Sequence, residues 1–246
     1  SEIAEPMTVN LSKDGGIFSS WNCLEGENTF LAVYLSAEGT KKEFDLTQMP
    51  EGKGYVYKSQ FSPSGNILLM GDKFLCEISR EDGRLIRTYE SGGYVTDFGI
   101  AGNQLLVFAD DTIHYYNAKT GDPLPEETVF TEHLQMESGE NTEEVVSSRV
   151  FTGMGEQGIL YVSKKGIYVY NLGGSVVEQL LSEGYLTGIS SKTELMDVET
   201  DADGNIYLAV SDRYSDNPTG MLLKYGYDKE QEAVPGTELD IYMLKR

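Results

Sequence analysis

A chain of 246 residues is long enough to bury a substantial core, and repeat folds reach this size as one domain, so length alone does not require two. Its 19 basic residues against 40 acidic ones leave a formal net charge of −21, which repels phosphate backbones and anionic headgroups and argues against nucleic acid as a partner. No run approaches the ~20 apolar residues of a bilayer span, so direct membrane insertion of this segment is not expected.

The 16 Tyr, and 27 Gly against 7 Pro, suit many short strands joined by tight turns, an all-β composition. Ser1–Glu5 lacks the basic and apolar parts of a signal peptide, so any export signal is expected to have been removed. Cys23 and Cys76 match no metal-ligand spacing and read as two free thiols, buried or half-buried.

In chain order, Ile17–Trp21, Phe30–Leu35 and Glu43–Leu46 form a first, weaker unit, with a turn at Glu25-Gly26-Glu27-Asn28 taken to match the turns of later units. The second unit runs from a strand at Tyr55–Ser62 through Ser64-Gly65-Asn66 into the apolar strand Ile67–Leu69. An alternating strand at Lys73–Ile78, a turn at Asp82-Gly83 and a strand at Arg84–Tyr89 complete it. Tyr94–Ile100, Gly102-Asn103, Gln104–Leu106, Thr112–Asn117 and Thr120-Gly121 repeat that order, with a further short strand expected after Gly121.

Ser148–Met154, Gln157-Gly158, Ile159–Val162, Gly166–Asn171, Gly173-Gly174 and Ser175–Leu180 repeat it again. Leu195–Thr200, Asp203-Gly204-Asn205 and Ile206–Leu208 open a fifth unit. Gly and Asn tolerate positive φ in hairpin turns, and the apolar runs after them suit strands buried on both faces.

Four strands in ~40 residues is the period of a propeller blade. The expected fold is all-β, a β-propeller of about five four-stranded blades over residues 1–236. Residues 237–246 are either a closing strand or the start of a truncated downstream domain, and the segments before Ile17 and after Pro235 can each add a strand to a blade.

Ile113–Leu124 resembles the hairpin of the quinoprotein-like and WD40-like repeats of bacterial propellers. The aromatic residue that often closes the quinoprotein repeat is replaced by Tyr89 in one unit and absent in another, so no quinone or other cofactor is expected. Val234–Leu244 resembles the first strand of an extracellular solute-binding protein of an ABC transporter. That resemblance implies an extracellular propeller ahead of a solute-binding domain in a Gram-positive lipoprotein, anchored through a removed N-terminal signal or lipid-attachment segment.

Among candidate sites, the acids of Asp197–Asn205 are arranged like a calcium loop but lack its closing Glu, and the Gly-Asn turn recurs without acids elsewhere; hairpin geometry explains it and no metal is expected. His114 alternates along a strand, and His133 lies in the acidic insertion 131–144, read as surface decoration, as is the insertion 211–220. The polar positions expected on the innermost, channel-lining strands are Lys58, Asp97, Arg149 and Asp197, which can hold a small polar ligand or pair with one another.

The functional expectation is a non-enzymatic extracellular binding or interaction module for a small polar or carbohydrate ligand or a protein partner, joined to the solute-binding domain of an importer. The alternative is a glycan-active propeller hydrolase or lyase, which requires convergent carboxylates. A third reading is a spacer between transport domain and cell wall.

Overall fold

The computed structural model describes residues 4–23, 30–46, 49, 56–71, 73–109, 112–125, 150–153, 158–163, 166–171, 176–182, 194–200, 205–211, 220–225 and 239–244. They form five antiparallel sheets, each a meander in chain order, the fold class of a five-bladed β-propeller. The first blade holds β1 (Ala4–Leu11), β2 (Ile17–Cys23), β3 (Phe30–Leu35) and β4 (Lys41–Asp45). The second holds β5 (Lys58–Phe61), β6 (Ile67–Gly71), β7 (Phe74–Ile78) and β8 (Leu85–Tyr89).

β9 (Val95–Ala101), β10 (Gln104–Ala109) and β11 (Thr112–Asn117) form the third blade. β12 (Val150–Gly153), β13 (Gly158–Ser163), β14 (Gly166–Asn171) and β15 (Val176–Ser182) form the fourth. β16 (Glu194–Thr200), β17 (Ile206–Ser211), β18 (Gly220–Tyr225) and β19 (Leu239–Leu244) form the fifth.

The first blade is phased one strand earlier than the sequence pattern suggests. Ser12 N–H donates to Gly16 O and Gly15 N–H to Ser12 O, just as Ser62 N–H donates to Asn66 O and Gly65 N–H to Ser62 O. Gly15 and Gly65 take matching φ values of 83° and 82°, the left-handed conformation that glycine tolerates best. The counterpart of the Gly65 turn is therefore Ser12–Gly16, with β1 ahead of it as the blade's first strand. The turn at Glu25–Asn28 falls instead between β2 and β3, in a stretch outside the described residues.

The third blade departs from the pattern in the opposite way, because among the described residues the short strand expected after Gly121 is a single bridge between Tyr116 and Pro123. Leu124 N–H still donates to Tyr115 O, but Pro123 and Pro125 have no N–H to extend the ladder. The Gly173-Gly174 turn of the fourth blade lies outside the described residues.

The chain divides into two compact units, residues 1–98 with 103–126, and residues 99–102 with 127–246. In the first unit β1 lies against β5, so the leading strands of neighbouring blades meet. Its core between the first and second blades is built from Phe18, Tyr34, Phe44, Ile67, Leu69, Phe74, Cys76 and Ile78, contributed by alternate positions of successive strands. In the second unit β12 lies against β16, and Leu160, Val162, Ile167, Val198, Ile206, Leu208 and Leu223 form the core between the fourth and fifth blades.

Candidate ligand-binding site

Of the four polar positions expected to line the innermost strands, two meet. Lys58 on β5 donates to Asp97 Oδ1 on β9 at 2.5 Å and to the Phe98 carbonyl at 2.8 Å, and its ammonium stands 5.0 Å from the centre of the Phe98 ring. Asp97 Oδ1 also accepts from Phe98 N–H at 2.7 Å. Asp97 is 5% exposed and the Lys58 side chain 29%, so the pair is mutually neutralised at the edge of the core. Asp197 on β16 belongs to the other unit, is exposed, and accepts from Val198 N–H at 2.9 Å. Arg149 lies outside the described residues, as do His133, both insertions apart from Ser211 and Gly220, and residues 201–204 of the acidic loop.

A chain of small hydroxyl groups beside Lys58 is less legible in the sequence. Asn10 Nδ2 donates to Ser59 Oγ at 2.6 Å, Ser59 Oγ to Thr8 Oγ1 at 2.7 Å, and Thr8 Oγ1 and Ser20 Oγ are hydrogen-bonded at 2.9 Å with either able to donate. Its signal is the run of Ser, Thr and Asn on strands that otherwise alternate with apolar residues.

Glu77 on β7 has no exposed surface. Its Oε1 accepts from Ser62 Oγ at 2.9 Å, Ser64 Oγ at 2.8 Å and Asn66 Nδ2 at 3.1 Å, while Oε2 accepts from the Tyr89 hydroxyl at 3.3 Å and stands 2.9 Å from Arg87 Nε. A carboxylate held on every side is suited to fixing a blade rather than to moving a proton. Burial, and then the Glu77 charge, raise the Tyr89 pKa, so its phenol stays protonated. His114 lies on β11 opposite Val107, half-buried, as a strand-face residue.

An open groove of about 620 Å³ lies where β8 passes into β9, lined by Lys73, Tyr89, Glu90, Ser91, Gly92, Gly93 and Tyr94. Its wall is braced from behind: the Tyr116 hydroxyl donates to the Glu90 carbonyl at 2.5 Å, and the Tyr89 and Tyr116 rings meet edge-to-face with centres 5.1 Å apart. Ser91 Oγ donates to Gly93 O at 3.2 Å. Gly92 takes φ +70° with open space where a side chain would stand. Lys73 Nζ lies 5.0 Å from the centre of the Tyr94 ring, and Tyr94 remains 56% exposed. The sequence signal was a tyrosine placed just ahead of a blade's first strand, a place that exposed Tyr57 holds ahead of β5.

No protein-family model matches the chain, and a search of curated proteins finds no match. Solved structures resemble it in fold. The extracellular domain of BT4673 from B. thetaiotaomicron, named as a one component system, superposes with a TM-score of 0.52 at 10% identity over 89% of this chain and 26% of that one. Hydrazine synthase of Kuenenia stuttgartiensis gives 0.58 at 10% identity, over 97% and 65%. The dihydro-heme d1 dehydrogenase NirN in complex with DHE gives 0.51 at 12% identity, over 98% and 58%. The chain thus spans about a quarter of the BT4673 domain and less than two thirds of the other two. At these identities the likeness is one of fold, the β-propeller.

Proposed function

We propose that this chain is a non-enzymatic extracellular β-propeller that recognises a small polar or carbohydrate ligand or a protein partner, as the N-terminal domain of a solute-binding lipoprotein of an ABC importer. The carrying observation is that Lys58 and Asp97 close on each other, so one of the two inner-strand acids, Asp97, is held in an ion pair rather than presented for glycan hydrolysis. Glu77, enclosed by its partners, has the same fixed character. The extracellular placement is supported by the likeness to the extracellular domain of BT4673; the importer rests on the sequence resemblance of Val234–Leu244 to a solute-binding strand, of which Leu239–Leu244 is here β19, paired with β18 in the fifth blade.

The coding sequence after Arg246 tests the importer part: a two-lobed solute-binding domain is expected, and a stop codon there overturns it. Incubating the chain with a glycan panel tests the non-enzymatic part. No new reducing ends or unsaturated products are expected, and their appearance supports a hydrolase or lyase instead.

A further inference from the structure

We infer that the groove between β8 and β9 is a binding site for a neutral oligosaccharide, an assignment that rests on reading the chain as a recognition module. Its volume of about 620 Å³ falls in the range of small-molecule sites, roughly 300–1,000 Å³. Tyr94 carries the Lys73 ammonium over its ring at 5.0 Å and is still 56% exposed, so it offers an aromatic surface that suits the apolar C–H face of a pyranose ring. The lining also includes Lys73, whose ammonium only donates, and Glu90, whose side chain can accept; sugar hydroxyls do both.

Gly92, with nothing within 4 Å of where a Cβ would stand, leaves the backbone open there, so a ligand can approach main-chain polar groups directly. The frame is preorganised, because Tyr116 holds the Glu90 carbonyl and packs against Tyr89 from within the fold. Charge narrows the ligand class. The groove carries one cation and one anion in a chain of net charge −21, so an anionic glycan is repelled at long range and a neutral one is not.

The test is calorimetric titration of the 246-residue chain with neutral gluco-, xylo- and manno-oligosaccharides and with an oligogalacturonate as the anionic comparison. At least one neutral oligosaccharide binds the unaltered chain. Tyr94→Ala weakens it by about tenfold or more, Tyr94→Phe keeps most of the affinity, and Lys73→Ala weakens it without abolishing it. Tyr94 is exposed, and unchanged thermal unfolding of each variant separates lost binding from lost fold. Binding that survives Tyr94→Ala overturns this site while leaving the recognition reading in place. Binding of none of the neutral oligosaccharides, or only of the galacturonate, overturns the ligand class, whereas cleavage of the sugars overturns the recognition reading itself.

Discussion

Arg87 sets its guanidinium Nε 2.9 Å from Oε2 of Glu77, its cross-strand partner, while its Nη1 donates to the Thr120 carbonyl of the next blade. The Nε–H is not aimed along the contact, so this is an ion pair more than a hydrogen bond. Lys42 holds the matching register in the first blade, opposite Tyr34, and reaches Glu81 of the second blade at 2.6 Å. Each cation thus leaves a fourth strand for the turn between the third and fourth strands of the following blade. The outer edge of one sheet is tied to its neighbour by a residue the meander places there twice. In the third blade Pro123 and Pro125 stand in this region, and neither can donate.

The two cations differ in what their loss exposes. Arg87→Ala leaves the fully buried Glu77 carboxylate without its counter-charge, a change that costs about 3 kcal/mol. Lys42→Ala removes an exposed pair and costs far less. Urea unfolding of both variants measures the difference; equal losses would mean that Glu77 does not depend on Arg87.

Gly83 and Gly65 separate backbone strain from collision. Both take positive φ, at 72° and 82°, but a Cβ on Gly65 meets nothing within 4 Å, whereas one on Gly83 meets Phe44 Cδ1 at 2.6 Å. Phe44 is buried in the core between the first two blades and cannot swing into solvent without opening it. Gly65→Ala is expected to cost about 1 kcal/mol and Gly83→Ala about 2–3 kcal/mol, read as shifts in the urea midpoint. A Gly83→Ala variant no worse than Gly65→Ala would show that Phe44 gives way freely.

Asp14 links the first hairpin turn to the second blade. The Ser12 hydroxyl, and then Arg80 Nη1 at 2.7 Å, hold its carboxyl at about 2 against an ordinary 3.8. A depressed carboxylate contributes stability that is present above its unfolded pKa and is lost as pH falls through the folded one. Thermal unfolding of the native chain and of Asp14→Asn should therefore differ by a constant amount above about pH 5 and converge between about pH 4 and pH 2. A difference that does not change across that window would assign the effect of Asp14 to something other than its charge.

The hairpins from Ser62 to Asn117 were legible because Gly65-Asn66, Gly83, Gly102-Asn103 and Gly121 mark turns between apolar runs whose period sets their faces. The phase of the first blade was not, since Gly15-Gly16 carries no Asn while Gly26 and Asn28 imitate the later turns from the wrong hairpin. Lys58 and Asp97 were legible as polar residues on first strands, but their pairing depends on side-chain reach between two blades, which spacing along one chain does not encode. The groove is not legible in the sequence for a related reason: Lys73 and Tyr94 come from different turns and meet only when the meander returns.

Cys76 lies wholly buried between the first two blades, its Sγ 3.8 Å from Met49 Sδ. Burial, reinforced by the charge of the adjacent Glu77, pushes its thiol up to about 12. At pH 8 the thiolate fraction is then on the order of 10⁻⁴, and access is closed as well, so iodoacetamide should leave Cys76 unmodified in the folded chain and label it fully in guanidinium. Peptide mass spectrometry reads both states. The same shift has a thermodynamic side, because a thiol whose folded pKa exceeds its unfolded value contributes stability that is full below the unfolded pKa and is lost as pH rises through the folded one. With ordinary and folded values of 9.0 and about 12, the loss should begin near pH 9 and grow towards pH 12. Cys76→Val, of similar volume and without an ionisable group, should flatten part of that alkaline decline. Tyr89 and Tyr116, whose phenols are also raised by burial, contribute to the rest. An alkaline profile unchanged by Cys76→Val, or rapid native labelling of Cys76, would mean that this region of the core opens far more readily than its packing implies.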